Sequence, residues 1–183
     1  MQAAAVVLCA AVIVPCALAG ATAAPDPKAM VVHAGDLPRG FVQQPHAGYV
    51  TTARAQATEA RRGEDFAELG RATGYEESFV GSTQGGQVMV ASTATVFKTR
   101  DGARRALAFI VRDGADPNRF VTMTSTRLGD ESHLYQVLGV AFTYLIAWRT
   151  GNVLSTVEVG GAQAADAVRL GHTQQRRVAT AIR

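Results

Sequence analysis

Hydrophobic and polar positions alternate through the centre of the chain. Tyr75, Glu77 and Phe79 interleave with Glu76, Ser78 and Val80; after the glycine-rich stretch 81–86, Val88, Val90, Ala94 and Val96 occupy alternate positions of a second run. Successive side chains of a strand point to opposite faces, so two such runs joined by a glycine-rich connection predict a hairpin. The period then changes. Ala103, Ala106, Leu107, Ile110 and Val111 recur at helical spacing behind Thr99, a good N-cap residue, and Gly114 with Asp116-Pro117-Asn118 ends the run. That spacing lines one stripe of a helix with apolar groups, and the stripe has to be buried.

Three or four further strands follow. Residues 120–128 are rich in threonine and valine and are broken by Gly129-Asp130. Residues 134–140 and 141–150 read as extended, and Gly151-Asn152 is a two-residue connection suited to positive φ that leads into a return strand at 153–159. Gly160-Gly161 resets the backbone for a last helix at 162–182, whose inner stripe is Ala164, Val168, Gly171, Gln175, Val178 and Ile182. Upstream, 51–62 predicts a weakly packed helix closed by Gly63, and 36–41 an extended, turned segment with Leu37 and Phe41 as anchors. The expected class is α+β: an antiparallel sheet of five or six strands with two or three helices packed on it, the last at the C-terminus.

The N-terminal residues add a compartment. Positions 3–19 are an almost unbroken apolar run, followed by small residues and then Pro25-Asp26-Pro27-Lys28. The run is shorter than the ~20 residues a membrane-spanning helix needs, and small residues at alternate positions suit signal peptidase. The expectation is a signal peptide at 1–24, a linker at 25–35 and a single domain at 36–183, secreted or held in the cell envelope with no membrane span after cleavage. The signal lacks a basic n-region, and a retained anchor is the alternative. Both cysteines, Cys9 and Cys16, lie within the signal, preceded by Leu8 and Pro15, which make no lipobox. The processed chain therefore has no disulfide and no thiol chemistry.

Charge changes the picture little. Eighteen Lys and Arg stand against fifteen Asp and Glu, and the basic residues are scattered without interleaved aromatics. Nucleic-acid binding would need a concentrated basic face, so it is excluded as an expectation. No cofactor motif is present: 81–86 joins two strands, whereas a phosphate loop opens a helix.

The densest polar cluster is Asp130-Glu131-Ser132-His133. Its first reading is a solvated turn in which Asp130 caps the backbone and Ser132 opens a strand; its second is a catalytic group of Asp130, Ser132 and His133. A triad needs groups converging from separate elements, and zinc three or four ligands, which neighbours in sequence do not supply. His33, His46 and His172 lie in plain contexts, so no metal site is expected. Ligand-binding candidates are Arg71 and Tyr75, as anion clamp and stacking face, and Arg127 with Arg149, as a small positive patch. On a strand Trp148 and Arg149 take opposite faces, and Trp148 is the better core residue.

The motifs Leu-Pro-Arg-Gly-Phe (37–41), Gly-Arg-Ala-Thr-Gly-Tyr (70–75), Leu-Gly-Asp-Glu-Ser (128–132) and Arg-Thr-Gly-Asn-Val (149–153), with the terminal helix, resemble uncharacterised small exported domains of GC-rich, actinobacteria-like bacteria. They are also loosely similar to extracytoplasmic sensor domains of actinobacterial serine/threonine kinases, which are held by disulfides that this chain lacks. The resemblance implies a non-enzymatic binding or sensing module for a small ligand or an envelope partner protein, and carries over no functional residue. The alternatives are a secreted hydrolase using Asp130 and His133, and a structural or interaction protein of the envelope.

Overall fold

The computed structural model describes residues 24–51, 66–124, 127–140 and 142–183. The signal peptide expected over 1–24, apart from Ala24, and the helix expected over 51–62, apart from Thr51, lie outside the described residues. Among the described residues, eight strands form one antiparallel sheet: β1 (Val42–Gln43), β2 (Gly48–Tyr49), β3 (Arg71–Thr83), β4 (Gly86–Phe97), β5 (Phe120–Met123), β6 (Glu131–Val137), β7 (Thr143–Thr150) and β8 (Val153–Gly160). The longer helices of the described residues are α1 (Arg100–Gly114) and α2 (Ala164–Ala181). The strand order is β1-β3-β4-β8-β7-β6-β5, with β2 also on β3.

The sheet thus joins a long hairpin, β3–β4, to a four-strand meander, β5–β8, through pairing of β8 with β4, as in Val90 opposite Val159. The count exceeds the expected five or six because of β1 and β2. At two residues each they are too short to show a period, and they form because the outer edge of β3 offers unpaired backbone groups.

Strand alternation sorts the core. One face carries Val88, Val90, Ile146, Trp148, Val157 and Val159, packed against Leu170 and Ala167 of α2. The opposite face carries Phe97, Tyr135, Ala147 and Leu154 against Ala103, Ala106 and Leu107 of α1. Each face of the sheet therefore has a helix on it. Residues 25–35, expected as a linker, instead pack: Met30, Val31 and Val32 are fully buried, and the Val32 N–H donates to Ser92 Oγ at 3.0 Å. An apolar triplet inside a short polar segment gives no period to read, yet it covers the part of the α2 face over β3 and β4.

Helix α1 has the stripe and the cap its sequence predicts, Thr99 Oγ1 accepting from the Gly102 N–H at 3.0 Å. Helix α2 is rotated from expectation: Ala167, Leu170, Gly171, Gln174 and Val178 are buried, so Gln174 faces inward. Gly171 permits the close approach, since a Cβ there would sit 2.9 Å from Leu128 and 3.4 Å from Ile146. The turn at 151–152 also differs in detail, because only Gly151 takes a positive φ, 59°.

Gly102 gives a test whose sign separates two effects. Helix propensity alone favours alanine there by about 1 kcal/mol. A Cβ, however, would run into the backbone carbonyl of Leu69. Gly102→Ala is expected to destabilise by about 1–3 kcal/mol, read from urea unfolding; a stabilised variant would contradict the packing described here.

Candidate functional site

At the end of the sheet where β4 begins and β8 finishes, the apolar face is not fully covered. A cavity of about 290 Å³ lies there. Its floor is Val88, Val90 and Val159, all from the α2 face of β4 and β8; Leu170 closes the helix side, and Leu37, Pro38 and Phe41 close the other. Two glycines shape it. Gly81 allows the Phe41 ring to lie on β3, because a Cβ there would fall 2.6 Å from the ring. Gly161, at φ 74°, turns the chain sharply against the Gln87 carbonyl, so α2 starts at the cavity mouth.

Both charged side chains of the lining come from the start of α2, and Thr83 at the end of β3 adds a hydroxyl. Gln163, Asp166 and Arg169 come from the start of α2, with Arg169 Nη2 3.4 Å from Asp166 Oδ1. Both side chains are about half exposed, which makes this a weak pair that solvent screens. The first turn of a helix also presents unpaired N–H groups and a partial positive charge. The site can therefore hold an apolar body and place an anionic or hydrogen-bonding group at the lip.

A buried polar seam runs beside the cavity. Gln174 Nε2 donates to the Thr93 carbonyl (2.7 Å), and its Oε1 accepts from Ser92 Oγ (2.7 Å). Glu77, nearly buried, accepts from Gln43 Nε2 at 2.8 Å and faces His33 Nδ1 at 3.1 Å. Arg177 Nη2 reaches both oxygens of Asp36, at 2.8 and 2.9 Å. These contacts tie the N-terminal segment to the sheet and to α2. His33 was unremarkable in sequence; the signal that could have flagged its partner is an acidic residue on the same strand face as Tyr75 and Phe79.

The residues singled out from sequence lie elsewhere. Asp130 Oδ2 accepts from Arg149 Nη1 (2.7 Å) and from the Gly151 N–H (2.9 Å), clasping the β7–β8 turn. Ser132 lies opposite Trp148 on the α2 face, where its Oγ accepts from the Leu128 N–H. His133 lies opposite Ala147 on the α1 face, 3.1 Å from Glu131 and stacked on Tyr135. Neighbours on a strand diverge, so Ser132 and His133 do not meet. Tyr75 is buried on the α2 face with its ring edge-on to Tyr49, and Arg71 begins β3, where burial lowers its pKa from the ordinary value. Arg127 is exposed, and Arg149 lies on the α1 face opposite Glu131. Tyr75 and Arg149 are thus on opposite sides of the sheet, and none of these four lines the cavity. Trp148 is fully buried on the α2 face, as its position predicts. Among the described residues, no group of three or more His, Asp or Glu could hold a metal ion, and no helix is long and apolar enough to cross a membrane.

No protein-family model matches the sequence, and no curated protein matches it. Among solved structures, the extracellular domain of PknH from Mycobacterium tuberculosis is similar, with a TM-score of 0.53, covering 84% of this chain and 95% of that one. At 11% identity, what the two share is the fold, a mixed α+β arrangement around an antiparallel sheet.

Proposed function

We propose that this protein is an exported, non-enzymatic binding or sensing domain that holds a small amphiphile in the cavity between the sheet and α2. The apolar part of the ligand lies on Val88, Val90, Val159 and Leu170, and its polar head meets Arg169 and the first turn of α2. The observation that carries the reading is the distribution of charge: an apolar floor, with both charged side chains at the start of α2. The volume is at the small end of ligand sites, which run from roughly 300 to 1,000 Å³. Supporting the location are the apolar N-terminal run with its small-residue cleavage site and a fold shared with an extracellular domain. Asp130 and His133 support the hydrolase alternative poorly, since Asp130 is engaged by Arg149 and Gly151, and Ser132 points through the other face.

Thermal unfolding of the processed chain with decanoate and with decanol tests this. A ligand that binds only the native state stabilises it by about 2.7 kcal/mol at a hundredfold excess over Kd. For a domain of this size that raises the midpoint by about 5–10 °C. Ala162→Phe, which fills the mouth, should abolish the shift. Arg169→Glu should weaken decanoate by about three- to tenfold and leave decanol unchanged. A flat response to both amphiphiles in a well-folded protein would remove the reading.

A further inference from the structure

The loop between β6 and β7 departs from ordinary turn chemistry. Residues 137–142 read Val-Leu-Gly-Val-Ala-Phe, without one polar side chain, where hairpin connections usually carry Asn, Asp, Ser or Pro beside glycine. Leu138, Val140 and Phe142 are 37%, 58% and 58% exposed. Scattered exposed apolar residues are normal in proteins, but three on one loop are a surface feature. Met89, also exposed, adds to the same end of the sheet, opposite Gly160 on the neighbouring strand.

The backbone holds this loop in place. Phe142 has a φ of 48°, a region that bulky side chains avoid, and it is the one described non-glycine residue with a positive φ. Its carbonyl accepts from the Gly161 N–H at 3.1 Å, and Gly161 is part of the cavity wall. On the other side, the Leu138 N–H donates to the Arg119 carbonyl at 2.7 Å. Arg119 is exposed, with its guanidinium 5.2 Å from the Phe120 ring centre. Arg169, on the cavity lip, is a second exposed cation at this end.

We infer that this end of the molecule is a membrane-interface surface, with Leu138, Val140 and Phe142 inserting among the acyl chains of an anionic bilayer and Arg119 at the phosphate level. Area separates a bilayer from a protein partner. A stable protein interface buries upwards of roughly 1,000 Å², whereas three partly exposed side chains on one turn offer on the order of 300 Å². A fluid bilayer has no such threshold, since a few apolar groups with adjacent arginines give reversible attachment. The inference rests on the proposed export, which brings the chain to a membrane, and not on what fills the cavity, so failure of amphiphile binding would leave it standing.

Phe142→Trp provides the reporter, because the single native tryptophan, Trp148, is fully buried. With vesicles of equimolar phosphatidylglycerol and phosphatidylcholine, its emission is expected to move to the blue and the processed chain to co-sediment. Val140→Asp and Phe142→Asp, both at exposed positions and checked for an unchanged thermal midpoint, should each lower partitioning about tenfold or more. Arg119→Glu should lower it severalfold on these vesicles and little on pure phosphatidylcholine. Absence of co-sedimentation by the wild-type chain, or undiminished binding by the aspartate variants, would overturn the inference. Lipid-independent self-association abolished by Phe142→Asp would also overturn it, assigning the loop to a contact between copies.

Discussion

Replacing Trp148 by alanine is expected to cost about 3–5 kcal/mol, the range for truncating a buried tryptophan. The side chain is fully buried between the sheet and α2, and its Nε1–H donates to Gln175 Oε1 at 2.7 Å. Domains of this kind have about 5–15 kcal/mol in all, so the variant should lose a large share of its stability. Urea unfolding is the measurement, with the midpoint falling at unchanged slope. Trp148→Phe separates the two contributions. It keeps most of the apolar volume, and Gln175 Oε1 still accepts from Thr150 Oγ1 at 2.8 Å. Its loss should be only about 1–2 kcal/mol. Equal losses for the two variants would mean that the hydrogen bond, and not the packing, holds α2 at this point.

Gln174→Leu should be nearly as damaging, at about 2–4 kcal/mol, although leucine fills similar space and is the better helix former. The reason lies in the partners left behind. The Thr93 carbonyl and the Ser92 hydroxyl, both bonded to the Gln174 amide, would lose that partner, and Ser92 is fully buried. Ser92 Oγ in turn accepts from the Val32 N–H, so the seam links β4, α2 and the N-terminal segment. Ser92→Ala/Gln174→Leu should therefore be non-additive, with a coupling of about 0.5–3 kcal/mol. Hydrogen exchange adds a local readout, with faster exchange at the Val32 amide than at the core of β8. If Gln174→Leu proved neutral, the seam would not be what fastens the N-terminal segment.

Much of the fold is legible in the residues because it is governed by local rules. The alternation from Tyr75 to Val96 is a strand pair, Thr99 caps the helix that follows, and Gly151 turns β7 into β8. Local signals failed where a segment was too short or too polar to show a period. Val42–Gln43 and Gly48–Tyr49 are strands only because β3 is beside them. Met30, Val31 and Val32 read as part of a linker, and the weak periodicity of the last helix places Gln175 on the inner stripe where the packed helix buries Gln174. Its two hydrogen bonds to β4 remove the usual penalty for burying it.

The candidate site was the least legible part. The cavity draws residues from 37–41, from the β3–β4 turn, from β4 and β8 and from the start of α2; the sequence marks Leu37 and Phe41 as anchors and Val88 and Val90 as strand positions, but nothing in it brings them together. The polar cluster at 130–133 drew attention because its members are adjacent in sequence, and strand geometry is what sends Ser132 and His133 to opposite faces.

Sequence alone was sufficient for the α+β class, the order of the main elements, the α1 stripe and the inward face of Trp148. Each of these follows from backbone periodicity or capping within a few residues. Tertiary structure decided that β8 inserts between β4 and β7, that His33 meets Glu77, that the 25–35 segment belongs to the core, and that an apolar cavity opens beside an apolar loop. Alternation says which side chains share a face, but not which strand lies next to them or what covers them. Those outcomes depend on pairings between residues tens of positions apart, whose free energy comes from the whole packed core.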